Sequence, residues 1–348
     1  MPKLLIKLTP LEPYFLGGER IFEIGDGNKH YFIRSLDTPA QSTLFGVLRY
    51  LAIEKPGSSQ DFKKRYQEFS KKRNLGEFKK EFRGYALNKP EVKFENIHGI
   101  SPLYLVDNKT GCFYAPLPFD HRVDHRVKVS GCESENYTPF EKWSEPIRTT
   151  NGERCLPLDY KAKDGLANGW IALAGSRCVR TEDIFHSSPQ VGIGQTNEIQ
   201  AFFKKEYKYL EEGFSFAFFA DIDMPLYNHI VYIGQGKSPF CAEWQKAEEP
   251  EFPKAVLREG FVYAQSDIYY TGDIRDLYGK CYFVCAKTHP HRIFQENYLD
   301  RTGSSMVQLI RAGSVFWPND ASDFATKLKN DHAEIAGFNK IVIGGNTQ

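Results

Sequence analysis

Residues 201–221 read AFFKKEYKYLEEGFSFAFFAD. The first part, 201–209, mixes aromatic with charged residues in near alternation, and the second part, 214–221, is almost wholly apolar. Aromatic-rich runs of this length, separated by a short segment that ends in glycine, are typical of β-strands joined by a tight turn. The stretch therefore predicts two strands, and we predict that they pair as an antiparallel hairpin.

The same kind of pattern recurs on both sides of this stretch. One helix is predicted over 38–51, with Thr38 as its N-cap and Pro39 in its first position, because apolar residues recur there at helical spacing. Strands are predicted at 3–8, 100–106, 112–116, 229–233, 281–287, 306–310 and 315–317. Hairpins with few helices predict an α+β fold with antiparallel sheets.

Length and composition limit the classes of protein. The chain has 348 residues, and 45 Lys and Arg against 44 Asp and Glu leave a net charge of +1, which excludes a histone-like or disordered basic protein. The length predicts two domains, 1–197 and 198–348. No run is long and apolar enough for a membrane span, and the start is too short and too charged for a signal peptide. Seven scattered cysteines without a Cys-x-x-Cys pair indicate reduced thiols in a cytoplasmic protein.

One segment departs from the overall charge balance. Residues 61–93 carry eleven Lys and Arg against five Asp and Glu, a net charge of +6, and aromatic residues recur there at helical spacing. We predict a basic helical insertion near 56–95 in the first domain. Its positive face is either a solvated surface or a set of phosphate contacts, and the sequence leaves both open.

Several glycine-containing loops lie beside basic or amide side chains. Glycine lets a backbone approach a sugar-phosphate chain closely, although each such loop alone is more often a simple turn. Together with aromatic-rich strands, they resemble an RNA-binding sheet. The loops contain Gly17 and Gly18 with Arg20, Gly192 and Gly194 with Gln195 and Asn197, Gly234 and Gly236 with Lys237, and Gly344 and Gly345 with Lys340.

An ordered series of motifs resembles one known family. The series is PLEPYFLGGER at 10–20, TPAQSTLFGVLR at 38–49, GISPLYL at 99–105 with FYAPLPFD at 113–120, PQVGI at 189–193, IGQGK at 233–237, AGSVF at 312–316 and GFNKIVIG at 337–344. In this order the motifs are similar to those of the third RAMP subunit of the type III-B (Cmr) CRISPR effector complex. The resemblance spans about 10–345.

The resemblance implies a fold, a function and partners. The fold would be two ferredoxin-like, RRM-like domains. The function would be to cap and grip the 5′ tag of a crRNA without catalysis, in antiviral defence. The partners would be the crRNA, the large polymerase-like subunit and the backbone RAMP subunits, with no cofactor, metal or membrane.

Candidate RNA-binding residues follow from chemistry and from this resemblance. Arginines suit phosphates, small residues at the start of the predicted helix leave its N–H groups open to anions, and amide or hydroxyl side chains suit bases and 2′-hydroxyls. The arginines are Arg20, Arg34, Arg49, Arg177 and Arg180; the helix residues are Ser42, Thr43 and Gly46; the base-reading candidates are Gln190, Thr196 and Asn197.

Two catalytic hypotheses stay open beside this one. A RAMP endoribonuclease that cuts CRISPR repeat RNA would need a general acid or base, and His30, close to Arg34, is the nearest candidate. A metal-dependent hydrolase would use His121, Asp124 and His125, although the neighbouring arginines disfavour a divalent cation. His289 and His291 flank a proline and form a weaker metal candidate.

Overall fold

The computed structural model of the chain describes residues 3–17, 20–22, 30–52, 87, 90, 96–124, 136–139, 147–149, 152–154, 166–174, 177–196, 199–234, 237–253, 256–293 and 305–345. It is mixed α+β with mostly antiparallel sheets, as predicted. The predicted basic insertion near 56–95 lies almost wholly outside these residues. Within them, no helix has the length and apolar character needed to cross a membrane.

A nine-stranded sheet, called the central sheet here, forms the largest element. Its strands are β1 (Lys3–Pro10), β4 (Ile97–Ile100), β5 (Tyr104–Asp107), β6 (Phe113–Pro116), β11 (Gly169–Ala172), β12 (Cys178–Arg180), β15 (Phe214–Ile222), β16 (Ile230–Ile233) and β17 (Ser238–Ala247). Their order is β12-β11-β6-β5-β15-β1-β17-β16, and β4 also pairs with β15. The sheet takes strands from both sides of residue 197, so the two predicted domains share it, and the division at 197 stays a prediction.

A second sheet, called the ribbon sheet here, has four strands, which lie in the sequence between strands of the central sheet. It contains β2 (Arg20–Phe22), β3 (His30–Arg34), β13 (Phe185–Thr196) and β14 (Ile199–Leu210), in the order β13-β14-β3-β2. The pairing of β14 with β3 is parallel, which the antiparallel prediction did not include.

The remaining strands form smaller sheets. Four of them pair in the order β20-β23-β18-β24: β18 (Val262–Ala264), β20 (Cys281–Cys285), β23 (Val315–Pro318) and β24 (Ile341–Ile343). Three more pair in the order β19-β22-β21: β19 (Ile268–Tyr269), β21 (Thr288–Ile293) and β22 (Ser305–Ile310). Two separate pairs are β7 (His121–Asp124) with β8 (Asn136–Pro139) and β9 (Ile147–Thr149) with β10 (Gly152–Arg154).

The predicted hairpin within 201–221 is wrong, although both strands exist. β14 pairs with β13 and β3, whereas β15 pairs with β1, β4 and β5 in the central sheet. The cause lies in their side chains. β15 buries Phe216, Phe218 and Phe219, on both of its faces, so it needs a central position. β14 carries charged residues that need solvent on one face, and the turn between the two strands therefore changes sheets.

Five helices are described: α1 (Gln41–Leu51), α2 (Thr181–Ile184), α3 (Ile274–Tyr278), α4 (Ala321–Leu328) and α5 (Asp331–Ile335). α1 confirms the predicted helix, but it begins at Gln41, and Ala40 is its N-cap, without a side-chain hydrogen bond. The predicted N-cap Thr38 is wrong: Ala40 has the extended backbone of the N-cap, and Gln41, the first helical residue, is held by its side-chain bonds to Ser101 and Gly337.

Apolar side chains cover both faces of the central sheet. On one face Ile6, Phe216 and Phe218 pack in a core that includes the apolar side of α1. On the other face, Leu5 and Phe219 pack in a core that includes Trp317 of β23. Burial on both faces is complete in β15, where the residues from Phe216 to Ala220 are at most 1% exposed, so this strand is the packed centre of the sheet.

Three of the sequence motifs meet at one buried side chain. Gln41 Nε2, at the start of α1, donates to the backbone oxygens of Ser101 at 3.2 Å and Gly337 at 2.8 Å. Gly337 has φ +80, and a Cβ there would lie 2.4 Å from Gln41 Nε2. The segments 38–49, 99–105 and 337–344 are therefore joined by packing that serves the fold.

Candidate nucleic-acid interface

The opening loop, residues 11–17, is fixed between the ribbon sheet and the central sheet. The N–H of Tyr14 donates to the Lys208 oxygen of β14 at 2.7 Å, and the Lys208 N–H donates back at 2.9 Å. The Phe15 N–H donates to Ser238 Oγ of β17 at 3.0 Å. The side chains of Tyr14 and Phe15 are buried as well, so backbone bonds and core packing together fix the position of the loop.

Gly17 ends this loop beside the end of β3. The Leu36 N–H donates to the Gly17 oxygen at 3.0 Å, and the Leu16 N–H donates to Ser35 Oγ at 3.0 Å. Gly17 has φ +74, which favours glycine, while a Cβ would have no neighbour within 4 Å. Gly17 thus combines a left-handed backbone with open space, as a close approach to RNA would need. Gly18 lies outside the described residues.

Gly234 is also left-handed, but its space is already filled. A Cβ at Gly234, where φ is +76, would lie 2.2 Å from the Phe15 oxygen of the opening loop. Lys237 follows in the same turn with φ 52, an exposed side chain and an N–H donated to the Gly234 oxygen at 3.1 Å. The glycine at 234 is therefore required by the chain's own packing. RNA contact there stays a prediction without that support, and Gly236 lies outside the described residues.

Gly344, near the other end of the chain, also has its Cβ space filled by the protein itself. A Cβ on it would lie 2.1 Å from the Arg258 oxygen, so this glycine too is required by internal packing. Gly345 has open space around its Cβ position. Lys340 Nζ lies 3.4 Å from a Glu334 carboxylate oxygen. Nothing in these contacts joins the three residues to the opening loop.

Positive side chains lie on the ribbon sheet close to the opening loop. Arg34, with 61% of its side chain exposed, lies 3.8 Å from the Glu206 carboxylate, and Lys204 of β14 is exposed. The register places Glu206 opposite Arg34 and Lys204 opposite Phe32, so the two cations occupy rows two residues apart on neighbouring strands. This spacing suits two phosphates of one strand.

The row between them holds two further predicted residues. Across the four strands, Gln190, Lys205, Ile33 and Arg20 stand in register. Gln190 is exposed, and Lys205 Nζ lies 5.4 Å from the centre of the Phe15 ring in the opening loop. Because successive residues of a strand point to opposite faces, Gln190, Lys205 and the Phe15 ring of the opening loop lie on one face of the ribbon sheet, whereas Arg34 and Lys204 lie on the other.

β13 carries the next predicted residues in a line. Gly192, Gly194 and Thr196 stand opposite Phe203, Ala201 and Ile199 of β14. They therefore extend the same sheet away from Gln190, and Asn197 lies outside the described residues.

A nearly buried ion network holds this region together. Lys208 Nζ lies 3.0 Å from Glu206 and 3.2 Å from Asp37, and it donates to Ser187 Oγ at 2.9 Å. Burial by itself would raise the pKa of Glu206, but hydrogen bonds from Lys208 and Ser187 and the charges of Lys208 and Arg34 outweigh it, so the pKa is lowered. Burial would lower the pKa of Lys208, but Glu206 and Asp37 outweigh it and raise the pKa. Both groups stay charged at neutral pH.

The α1 candidates are placed at different depths. Ser42 and Thr43 form its first turn, which contains no acidic residue, and Gly46 is exposed with no neighbour within 4 Å of a Cβ. Arg49 in the last turn is only partly exposed, and burial lowers its pKa. Arg49 is therefore a less accessible phosphate ligand than Arg34.

Arg177 and Arg180 lie at the β12 end of the central sheet, whereas β16 forms its other end. Arg180 belongs to β12, the strand farthest from β16 in the order, and Arg177 immediately precedes β12 and is exposed. Arg180 donates to both carboxylate oxygens of Asp183, at 2.8 and 2.9 Å. Its guanidinium is thus already held by a carboxylate, and the strand order separates it from the opening loop.

The residues of the catalytic hypotheses do not assemble into a described centre. His121 Nδ1 lies 2.9 Å from Asp120, and both side chains are 1% exposed. Asp124 ends β7, and His125 lies outside the described residues. His289 and His291 stand on β21, where His289 lies 3.4 Å from Asp267. Among the described residues, no three His, Cys, Asp or Glu side chains are grouped to hold a metal ion. His30 belongs to β3.

Sequence reasoning missed the lysines of β14. Lys204, Lys205 and Lys208 lie near the opening loop or Arg34, but none of them belongs to a glycine-containing loop. The signal was present as the run KKEYK in a strand-like stretch, because lysine between aromatic residues on a strand is typical of a surface that binds a polyanion.

Solved structures that resemble the chain include two of one kind of complex. One is a chain of the cryo-EM structure of the Type III-B Cmr-beta bound to cognate target RNA and AMPPnP, state 1, with 16% identity and TM-score 0.50 over 97% of this chain and 95% of that chain. The other comes from the Type III-B Cmr-beta bound to cognate target RNA, with 16% identity and TM-score 0.52 over 98% of this chain and 96% of that chain. At this identity the likeness concerns the fold.

Sequence comparisons point to the same group of proteins. No curated protein matches the chain. The family model described as "CRISPR-associated protein (Cas_Cmr3)" matches residues 6–258, which include the opening loop, α1, the ribbon sheet and β16. Because the match covers well over half of the sequence, the chain belongs to the Cas_Cmr3 family of CRISPR-associated proteins.

Proposed function

We propose that the chain is a non-catalytic RNA-binding subunit of a type III-B CRISPR effector complex, where it grips the 5′ tag of the crRNA. Its protein partners would be the large polymerase-like subunit and the backbone RAMP subunits. The observation that carries the proposal is the family match over 6–258, since this range contains every element of the region around the opening loop. The likeness to chains of the RNA-bound Cmr-beta structures supports it.

The chemistry of the region suits a short single strand of RNA. The phosphates of such RNA suit exposed Arg34 and Lys204 on one face of the ribbon sheet, and base edges or 2′-hydroxyls suit exposed Gln190, which lies on the opposite face of the same sheet. The backbone bonds of Tyr14 and Phe15 fix the loop beside these side chains before RNA arrives. A fixed site loses little conformational entropy on binding, so few contacts are enough to hold a short tag.

A salt titration of crRNA binding tests the proposal. The double variant Arg34→Gln/Lys204→Gln removes two charges, and Arg275→Gln on α3 is the matched control because Arg275 is exposed on a separate helix. We expect the double variant to bind crRNA more weakly, with a log–log salt slope smaller by about 0.7 for each phosphate that is no longer neutralised. The control should keep the affinity and slope of the wild type. An unchanged slope in the double variant would contradict the RNA site.

The same preparation tests the absence of catalysis. Wild-type chain incubated with a labelled CRISPR repeat RNA should leave it intact. Specific cleavage that disappears in His30→Ala would contradict the non-catalytic proposal and support the endoribonuclease, because a strand-borne imidazole could then act as general acid or base.

A further inference from the structure

The strand β16 ends the central sheet and has an unusual composition for an edge strand. Among the described residues, β17 is the only strand that pairs with it. Its sequence, IVYI at 230–233, contains no charge and no proline, and Ile230 and Tyr232 are 48% and 62% exposed. Edge strands normally carry lysine, proline or a bulge, because an apolar edge invites another strand to pair.

The register shows which backbone groups point away from the sheet. The Ala242 N–H donates to the His229 oxygen at 2.7 Å, and the pairs that follow are Ile230 with Cys241 and Val231 with Phe240. In an antiparallel ladder the hydrogen-bonded pairs alternate, so Val231 and Ile233 bond to β17. The N–H and C=O groups of Ile230 and Tyr232 therefore face outward.

Apolar side chains continue from this edge onto the sheet face. The Leu11 N–H donates to the Pro239 oxygen at 3.1 Å, and Pro239 stands opposite Tyr232. Leu11 is 56% exposed, so Leu11, Pro239 and Tyr232 form one accessible row, and Ile230 lies on the same face two residues before Tyr232. The free edge and the apolar rows are thus parts of one surface, which we call the edge surface.

We propose that the edge surface receives an extended segment of another protein chain, which adds a strand to β16. The segment would place apolar side chains at alternate positions against Ile230 and Tyr232. Outward amides and carbonyls need acceptors and donors in alternation, which a polypeptide backbone supplies, whereas phosphates only accept. None of the residues of the edge surface is charged, so nothing in it attracts a phosphate chain. The proposal rests on the proposed function only in taking the partner from the effector subunits.

Two substitutions test the edge surface. The double variant Ile230→Lys/Tyr232→Lys places on the edge the residue that blocks strand pairing in natural sheets. Met306→Lys is the matched control, because Met306 is 57% exposed but stands on β22 of a separate sheet, where it pairs with Arg292 of β21. Each chain is purified alone and also reconstituted with the other effector subunits and crRNA.

Amide hydrogen exchange at single-residue resolution is the readout. In the isolated wild type, the amides of Ile230 and Tyr232 should exchange fast, while those of Val231 and Ile233 exchange slowly. In the complex, the first two should slow by at least tenfold. The double variant should assemble at least tenfold less well, with unchanged crRNA affinity, and Met306→Lys should behave as the wild type.

Several results would overturn the proposal. Fast exchange of Ile230 and Tyr232 in an assembled complex would show that no strand pairs there. Protection that appears with crRNA alone would assign the surface to RNA, and protection that rises with concentration of the isolated chain would assign it to a second copy. A wild-type chain that enters no complex would contradict the proposed function itself, and the partner strand with it. A wild type that assembles beside an equally competent double variant would contradict the edge surface alone.

Discussion

The ribbon sheet and the edge surface are both accessible strands, but they differ in chemistry. On the face that carries Arg34 the ribbon sheet exposes cations, and Glu206 and Lys208 form an ion pair on the same face. The edge surface exposes Ile230 and Tyr232 with outward backbone groups and no charge. The opening loop touches both regions, because Tyr14 bonds to β14 and Leu11 bonds to Pro239.

This difference separates two kinds of recognition within one family member. A surface with fixed cations binds a polyanion favourably, and its affinity for the polyanion falls as the salt concentration rises. An uncharged strand edge binds a partner through backbone hydrogen bonds and apolar burial, and salt changes that affinity little. We expect substitutions in one region to leave the binding that depends on the other region unchanged. The following variants test that expectation, from the largest expected effect to the smallest.

Gly234→Ala should have the largest effect, because Gly234 packs directly beneath the loop that joins the two regions. The new Cβ would meet the Phe15 oxygen at 2.2 Å in a left-handed backbone, so we expect a loss of about 3 kcal/mol in the free energy of unfolding. Urea denaturation measures it. Gly46→Ala is the control: it is helical and unobstructed, and it should gain about 1 kcal/mol. Equal stability of the two variants would contradict the close packing at Phe15.

Glu206→Gln should have the next largest effect and should act on the ribbon sheet alone. It removes the carboxylate that Lys208 and Ser187 bond, at a cost of about 2 kcal/mol in the free energy of unfolding at neutral pH. Because it also removes the negative charge beside Arg34, crRNA affinity should not fall. Denaturation and crRNA titration of one preparation check both expectations, and a parallel loss of stability and affinity would contradict them.

The pH dependence of the same variant sharpens the test. The pKa of Glu206 is lowered in the folded chain, so its stabilisation is present above the unfolded value of about 4.5 and is lost as the pH falls below it. The gap in free energy of unfolding between wild type and Glu206→Gln should therefore close as the pH falls from about 7 to about 3. A gap that stays constant would show that the carboxylate charge does not stabilise the fold.

Ile230→Lys/Tyr232→Lys should change stability least. Both side chains are largely exposed, so the free energy of unfolding of the isolated chain should stay within about 0.5 kcal/mol of wild type. Thermal unfolding of the isolated chain checks this. A large loss would mean that the edge surface serves the fold of the chain itself, and the contrast with the ribbon sheet would disappear.

Much of the secondary structure could be predicted from local pattern, but its pairing could not. The strands around 201–221 were readable because aromatic and alternating residues favour extended backbone. Their assignment to two sheets depends on long-range burial: Phe216, Phe218 and Phe219 require partners on both faces, which β1 and β5 supply from distant sequence. The start of α1 at Gln41 likewise depends on its amide bonds to Ser101 and Gly337.

The candidate site was only partly predictable for a related reason. Arg34 and Gln190 were recognised by residue type, but only the register of β3, β14 and β13 shows that they belong to one sheet and point to its opposite faces. Gly234 and Gly344 were recognised as glycine loops, but a sequence cannot show that the oxygens of Phe15 and Arg258 occupy the space beside them. Arg180 has the right charge for RNA, and only the structure reveals its bond to Asp183.

Photocrosslinking of a crRNA with 4-thiouridine in its 5′ tag, followed by mass spectrometry of the assembled complex, tests the central claim most directly. We predict crosslinks from this chain in the opening loop at 11–17 and on the ribbon sheet at 30–36 and 187–208, and none on β16 at 230–233. Crosslinks concentrated on β16, or their absence from both the opening loop and the ribbon sheet in a complex that retains its crRNA, would contradict the account.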